Sequence, residues 1–271
     1  LDQKILKKLY IPPANSHKGQ NGKLLIIGGS ELFHAASLWS LQVASKIVDM
    51  VFYSSVPINN EIVIEQKKEF RNGIIVPRSK INEYIEEADC ILIGPGLPRK
   101  EGSEIGDDDT GQLTSELLNE YPKKKWVIDG GSLQTIDPTL IPPNAILTPH
   151  PKEFETLFKI KANAENVSSM AAKYNCIILL KGPIDVVCSQ DECVEVPGGN
   201  AGMTKGGTGD VLAGLVASLY CKDDAWTSAV WGSKINKKAG ESLFNRVGYY
   251  FNASELADEV PKVMKVLLNL K

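Results

Sequence analysis

The chain has 271 residues, with 30 basic against 33 acidic side chains and a net charge of −3, which leaves no field for nucleic acid or an anionic membrane. No run of about 18 apolar residues marks a membrane span, and the opening LDQKILKKLY is too polar for a signal peptide, so a cytoplasmic protein is expected. The length suits a single α/β domain over residues 1–271 with ample core.

KLLIIGGS, from Lys23 to Ser30, reads as a buried strand ending in a glycine turn, followed by a helix from about Ala35 to Lys46. Short β-rich runs then recur at Met50 to Tyr53, Ile74 to Val76, Cys90 to Ile93, Trp126 to Ile128, Ala145 to Leu147 and Ile177 to Leu180. Alternation of such runs with helical patterns predicts an α/β fold: a mostly parallel central sheet with helices on both faces. Several runs end in small or polar residues: GPG after Ile93, DGG after Ile128, TPHP after Leu147 and KG after Leu180. Ligands bind beyond the carboxyl ends of strands in open α/β sheets, so these turns are expected to converge on one crevice. Residues 98–112 form a polar stretch without periodicity, whose Asp107–Asp109 run is expected to be solvated rather than a metal site.

Beyond Lys181 the pattern changes to a small antiparallel hairpin, Asp185 to Cys188 and Cys193 to Val196, turning at SQDE. The remainder reads as helices over Val211 to Tyr220, Ala225 to Phe244 and Ser254 to Leu270, the last with Ser254 as its N-cap. Cys188 and Cys193 can face each other across the hairpin, but all five cysteines are expected as reduced thiols, and their spacing does not suit zinc.

The segment GMTKGGTGDVLAG, Gly202 to Gly214, carries most of the chemistry. Its glycines lead into an apolar helical pattern, so the turn lies at a helix N-terminus, where unpaired N–H groups and the macrodipole favour an anion. Asp210 beside that anion hole is suited to take a proton from an attacking hydroxyl, and the pair points to phosphoryl transfer to an alcohol. Neither G-x-G-x-x-G nor a Walker A loop follows any strand, so a nucleotide would be held in another manner. LLKGPIDV presents Lys181 and Gly182 at a strand end, with a reversal at Pro183. Two prolines frame His150 in LTPHPKEF and fix the direction of its imidazole. Glu153 can assist a magnesium ion through water, or merely complement a helix dipole. Asp129 either faces the crevice or caps a turn.

Taken together, HKGQNGKLLIIGGS, IGPGL, LTPHPKEF, LLKG and GNAGMTKGGTGDVLAG, in this order, resemble the ADP/ATP-dependent NAD(P)H-hydrate dehydratases of the ribokinase-like superfamily. The likeness runs from about His17 to Tyr220. Kinases for hydroxymethylpyrimidine or sugars share GGTGD loosely but usually carry Asn where His150 stands. The resemblance implies a ribokinase-like fold and repair of NADH or NADPH whose ring has taken up water. A phosphoryl group passes from ADP or ATP, with Mg²⁺, to the ring hydroxyl, and phosphate then leaves. It implies that the hydrated cofactor lies against Ala36, Gly96, His150 and Asp210, and the nucleotide against Lys181, Gly182, Pro183, Ile184, Asp185 and Gly209. Asp210 is then the base, and the N–H groups of Gly207, Thr208 and Gly209 steady the moving group. A homo-oligomer, tetramer or dimer, is also implied. Two departures stand out: FHAAS replaces the common Y-[ST]-G-A-P around Ala36, and IDGGSLQ replaces LDADALN, removing a second acidic residue. The competing readings are a kinase that releases a stable phosphorylated vitamin precursor or sugar, and a non-enzymatic nucleotide-binding regulator.

Overall fold

The computed structural model describes residues 9–99 and 103–270. Leu1 to Lys8 of the opening segment, and Lys100 to Gly102 of the polar stretch, lie outside the described residues. In chain order the strands are β1 (Lys23–Ile27), β2 (Met50–Ser54), β3 (Ile74–Ile75), β4 (Cys90–Ile93), β5 (Lys125–Ile128), β6 (Ile146–Leu147), β7 (Ile177–Leu180), β8 (Asp185–Cys188) and β9 (Cys193–Val196). The helices are α1 (His34–Ala44), α2 (Pro57–Gln66), α3 (Ile81–Glu87), α4 (Thr110–Glu120), α5 (Gly130–Thr135), α6 (Pro151–Phe158), α7 (Ala164–Tyr174), α8 (Thr208–Tyr220), α9 (Ala225–Val247) and α10 (Ala253–Leu267).

All nine strands join one sheet in the order β3-β2-β1-β4-β5-β6-β7-β8-β9. The first seven pair in parallel, and β8 and β9 add an antiparallel edge. Strand residues alternate between two buried layers. Leu25, Ile27, Ile91, Ile93 and Trp126 face α3 to α7, while Leu24, Ile26, Cys90, Leu92 and Val127 face α1, α8 and α9. Both faces are covered, which is why these strands read as continuous apolar runs. A third cluster, with Val211, Leu215, Trp231, Ile235 and Leu256, packs α8, α9 and α10 together.

Parallel pairing brings the carboxyl ends of β1 and β4 to β7 to one edge of the sheet, as the turn residues predict. Strand order reverses between β1 and β4, so the loops after those strands bound the crevice of the switch point. Their closeness requires glycine. Gly94 has φ +120°, and a Cβ there would stand 1.7 Å from the Asp129 carbonyl oxygen.

Three expectations need correction. Cys188 and Cys193 are directly opposed in the β8–β9 register and form a disulfide. Their Cα atoms, 4.1 Å apart at the closed end of the hairpin, bring the sulfurs within bonding reach, so only Cys90, Cys176 and Cys221 are free, all buried. The cap of α10 is Asn252, not Ser254: Asn252 and Glu255 form a reciprocal capping box, while Ser254 accepts a bond from the Trp39 indole. Nor is the Asp107–Asp109 run merely solvated. Asp107 accepts from the N–H groups of Glu31 and Glu104, Asp108 pairs with Arg78, and Asp109 caps α4.

Gly94→Ala is expected to lower the unfolding free energy by about 2 kcal/mol or more, because both its φ and the Asp129 backbone oppose a methyl group. Gly206→Ala, with nothing within 4 Å of the added carbon, should change it by less than about 1 kcal/mol. Urea denaturation of the two variants checks the contrast.

Candidate active site

Helix α8 begins at Thr208, with Gly207 as its N-cap at φ +93° and no side chain capping its first N–H groups. The αL turn is possible only for glycine: a Cβ on Gly207 would stand 2.3 Å from the Trp39 ring. The Thr208 hydroxyl donates to the carbonyls of Met203 (2.6 Å) and Lys205 (2.9 Å), so it fastens the turn instead of facing a ligand. Ser40 of α1 donates to the Asp210 carbonyl at 2.8 Å and ties the first turn of α8 to the neighbouring helix. The site is thus a helix N-terminus with its amides free of side-chain caps, held from behind by Trp39 and Ser40.

Facing it are groups delivered by three parallel strands. Asp129 follows β5, the segment from Thr148 to Glu153 follows β6, and Lys181 follows β7. Asp129 is buried and its Oδ1 accepts from the Thr148 hydroxyl (2.7 Å) and the Lys181 ammonium (2.9 Å). Lys181 lies 3.7 Å from Glu153 as well, and its Nζ stands 3.5 Å from where a Gly209 side chain would begin. A larger residue at 209 would therefore crowd the ammonium against the helix terminus.

His150 is the N-cap of α6. Its Nδ1 accepts from the Glu153 N–H at 3.2 Å, while Glu153 Oε2 accepts from the His150 N–H at 2.9 Å. Partial burial, and then the Lys181 charge, lower the imidazole's pKa. The ring is therefore neutral near pH 7, and because Nδ1 accepts, Nε2 carries the proton. Burial raises the pKa of Glu153, against the pull of Lys181. For Lys181 itself, burial opposes the charge but Asp129 and Glu153 outweigh it, and the ammonium is held protonated. Asp210 is pushed up to about 7 by burial and then by the Asp129 charge, with Lys181 pulling the other way. A carboxylate poised near neutrality is suited to general-base work.

A cavity of about 590 Å³ runs from this cluster between α8 and α9. Of the residues singled out in the sequence, it brings His150, Lys181, Gly182, Pro183, Asp185, Thr208 and Gly209 together. Asp185 lines it with a committed carboxylate: it accepts from the Gly182 N–H (2.9 Å) and the Ser233 hydroxyl (2.7 Å) and pairs with Lys237 (3.3 Å). Ile184 is half-exposed and outside the lining. Ala36 and Gly96 also lie outside it, against each other at the β1/β4 switch point, where a Cβ on Gly96 would stand 3.0 Å from that of Ala36. Asp210 is also outside the lining, in electrostatic reach of Lys181, Asp129 and Glu153.

The sequence reading passed over Lys237, Asn236 and Gly198, and it quoted Gly199 to Met203 within a motif without giving them a role. Lys237 of α9 is buried and donates to the carbonyls of Gly182 (3.0 Å), Pro183 (3.1 Å) and Gly198 (3.3 Å), fastening two walls of the cavity. Gly198 and Gly199, the second of which opens GNAGMTKGGTGD, offered a local signal. Lys237 offered none, because in a helix pattern it reads as one more solvated lysine.

Sheet order and switch-point crevice together define a ribokinase-like fold. A solved ADP/ATP-dependent NAD(P)H-hydrate dehydratase from Bacillus subtilis, co-crystallised with ATP/Mg²⁺, superposes with a TM-score of 0.77 at 24% identity, over 94% of this chain and 93% of that one. Residues 24–262 match the profile of the NAD(P)H-hydrate dehydratase family, and the chain belongs to that family. It is 36% identical over 274 residues to the bifunctional NAD(P)H-hydrate repair enzyme Nnr of Methanocaldococcus jannaschii, covering 96% of this chain and 52% of the relative. The chain thus spans about half the length of such bifunctional relatives. It is 30% identical to the ADP-dependent (S)-NAD(P)H-hydrate dehydratase of Nitrosopumilus maritimus, over 96% of this chain and 95% of that protein.

Asp210 should cost stability at neutral pH. Its folded pKa lies above the ordinary carboxylate value of 3.8, so the folded state binds its proton more tightly. The native state is favoured most when Asp210 is protonated and loses stability as pH rises from about 4 to about 7. Asp210→Asn, lacking that titration, should gain on the wild type over this window and exceed it by on the order of 2 kcal/mol at pH 8, allowing for partial solvent screening. Urea unfolding between pH 5 and 8 measures the divergence.

Proposed function

We propose that this protein regenerates NADH or NADPH from (S)-NADHX or (S)-NADPHX, using ADP or ATP as phosphoryl donor. The observation that carries this reading is the Asp210 carboxylate, held near neutrality beside the amides of α8 and within reach of the Lys181 cluster. Family membership supplies the substrate class.

In this reading the nucleotide occupies the cavity between α8 and α9, with its phosphates toward Lys181 and Gly209. The hydrated ring lies toward Ala36, Gly96 and His150. Asp210 takes the proton of the ring hydroxyl as that oxygen attacks the terminal phosphorus, and the shortened nucleotide leaves with the electron pair of the broken P–O bond. The Gly207, Thr208 and Gly209 N–H groups and the Lys181 ammonium balance charge on the moving phosphoryl group. The ring C–O bond then breaks with its electron pair going to phosphate. The ring nitrogen's lone pair compensates, and loss of a ring proton restores the dihydropyridine. Neutral His150, with its proton on Nε2, offers the ring a donor without adding charge.

Magnesium fits this site through charge balance: Asp129, Glu153 and Asp210 surround one ammonium. Mg²⁺ is typically held by substrate phosphates and one or two carboxylates; here Asp129 and Glu153 would hold it, Glu153 through water, and the ion would neutralise phosphate charge. Among the described residues no group of three or more His, Cys, Asp or Glu is arranged as a metal cage. We take the chain to work as one domain in the cytoplasm and as a homo-oligomer, dimer or tetramer, as the family resemblance implies.

Incubation with NADHX, Mg²⁺ and ADP or ATP should restore the NADH absorbance and release free phosphate. Accumulation of a stable phosphorylated alcohol would instead identify a kinase, and no recovery with either nucleotide would overturn the reading. Asp210→Asn should lose at least about 10²-fold in rate. The wild-type rate should fall with decreasing pH below about 7, as Asp210 takes up its proton.

A further inference from the structure

Within the cavity between α8 and α9, one polar group lacks a partner in the protein. Asn236 is 5% exposed and lines the cavity, and its carbonyl oxygen is buried without a hydrogen-bond donor. An unpaired buried acceptor is costly, and native proteins rarely retain one away from a ligand. Its surroundings indicate which part of a ligand belongs there. The end of the cavity at Lys181, Thr208 and Gly209 is cationic and rich in amides. Leu212, one turn further along α8, also lines the cavity. So does Met203, whose sulfur lies over Gly240, one turn on from Asn236 in α9. A charged end followed by an apolar slot matches the order of phosphate and base in a nucleotide.

We propose that Asn236 is a specificity-determining residue for the donor's base, accepting a hydrogen bond from the exocyclic amino group of a 6-aminopurine. The inference rests on the reading that this cavity takes the phosphoryl donor, and it adds the means by which the base is selected. Lys237, the next residue, is spent on the carbonyls of Gly182, Pro183 and Gly198. Its clasp holds the two walls while the neighbouring amide remains available. An acceptor at 236 rewards a base that donates at this position and penalises a 6-oxopurine, which presents an oxygen there.

The test compares ADP with IDP, which differ at the 6-position, by isothermal titration calorimetry and by the rate of NADHX dehydration. The wild type should bind ADP at least about 10-fold more tightly than IDP. Asn236→Leu should bring that ratio close to one and weaken ADP binding by about 10-fold, with kcat changed less than about 3-fold. Asn236→Asp keeps an acceptor and should retain the preference for ADP. Thermal melting establishes that each variant is folded, and Asn236→Ala, which also lacks an acceptor, replaces the leucine variant if that one is not. Equal wild-type binding of ADP and IDP, or a ratio unchanged in folded Asn236→Leu, would overturn the inference. Turnover of NADHX is a separate outcome: dehydration supported equally by both nucleotides sinks only the role of Asn236, whereas dehydration with neither sinks the underlying reading.

Discussion

The site is organised by one buried ammonium. Lys181 stands among Asp129, Glu153 and Asp210, and burying those carboxylates without it would leave charge uncompensated in a poorly solvated place. Burial, and then the Asp129 charge, hold Asp210 close to the point where it exchanges a proton near neutral pH, with Lys181 pulling the other way. Loss of Lys181 would raise it further and keep it protonated.

That balance depends on where the sheet puts the groups. Asp129, Glu153 and Lys181 come from the ends of three adjacent parallel strands, and the β7 end is tied to the β6 loop by the Lys181 N–H donating to the Pro149 carbonyl at 2.8 Å. Asp210 comes from the fourth side, on a helix whose N-terminus is pinned by Trp39 and Ser40. The same helix carries both Asp210 and the amides of its first turn, so one rigid element fixes their relative position.

The cavity between α8 and α9 is built differently, by crossing ties between loops and α9. Lys237 joins the chain reversal after β7 to the glycine segment after β9, and Asp185 and Ser233 complete the tie. At the sheet edge the Cys188–Cys193 bond closes the hairpin whose first strand begins at Asp185. Two kinds of rigidity therefore meet: a hydrogen-bonded sheet under the Lys181 cluster, and a clasp of buried charges around the cavity.

Much of this was legible in the linear chain. Apolar strand runs ending in GPG, DGG, TPHP and KG, and glycines running into Asp210, are local patterns set by backbone sterics and by the unpaired amides of a helix start. They announced the parallel sheet, the crevice edge, the edge hairpin and the glycine turn that opens α8. Other features depend on residues that meet only when the chain folds. Asp129 resolves to the crevice because Lys181, 52 positions away, bonds it. Lys237 is buried because the loops at Gly182 and Gly198 supply its acceptors. Cys188 and Cys193 are joined because β8 and β9 pair in a register that opposes them. A side chain's burial, partners and proton affinity are properties of its surroundings, and those are assembled by tertiary packing from distant segments.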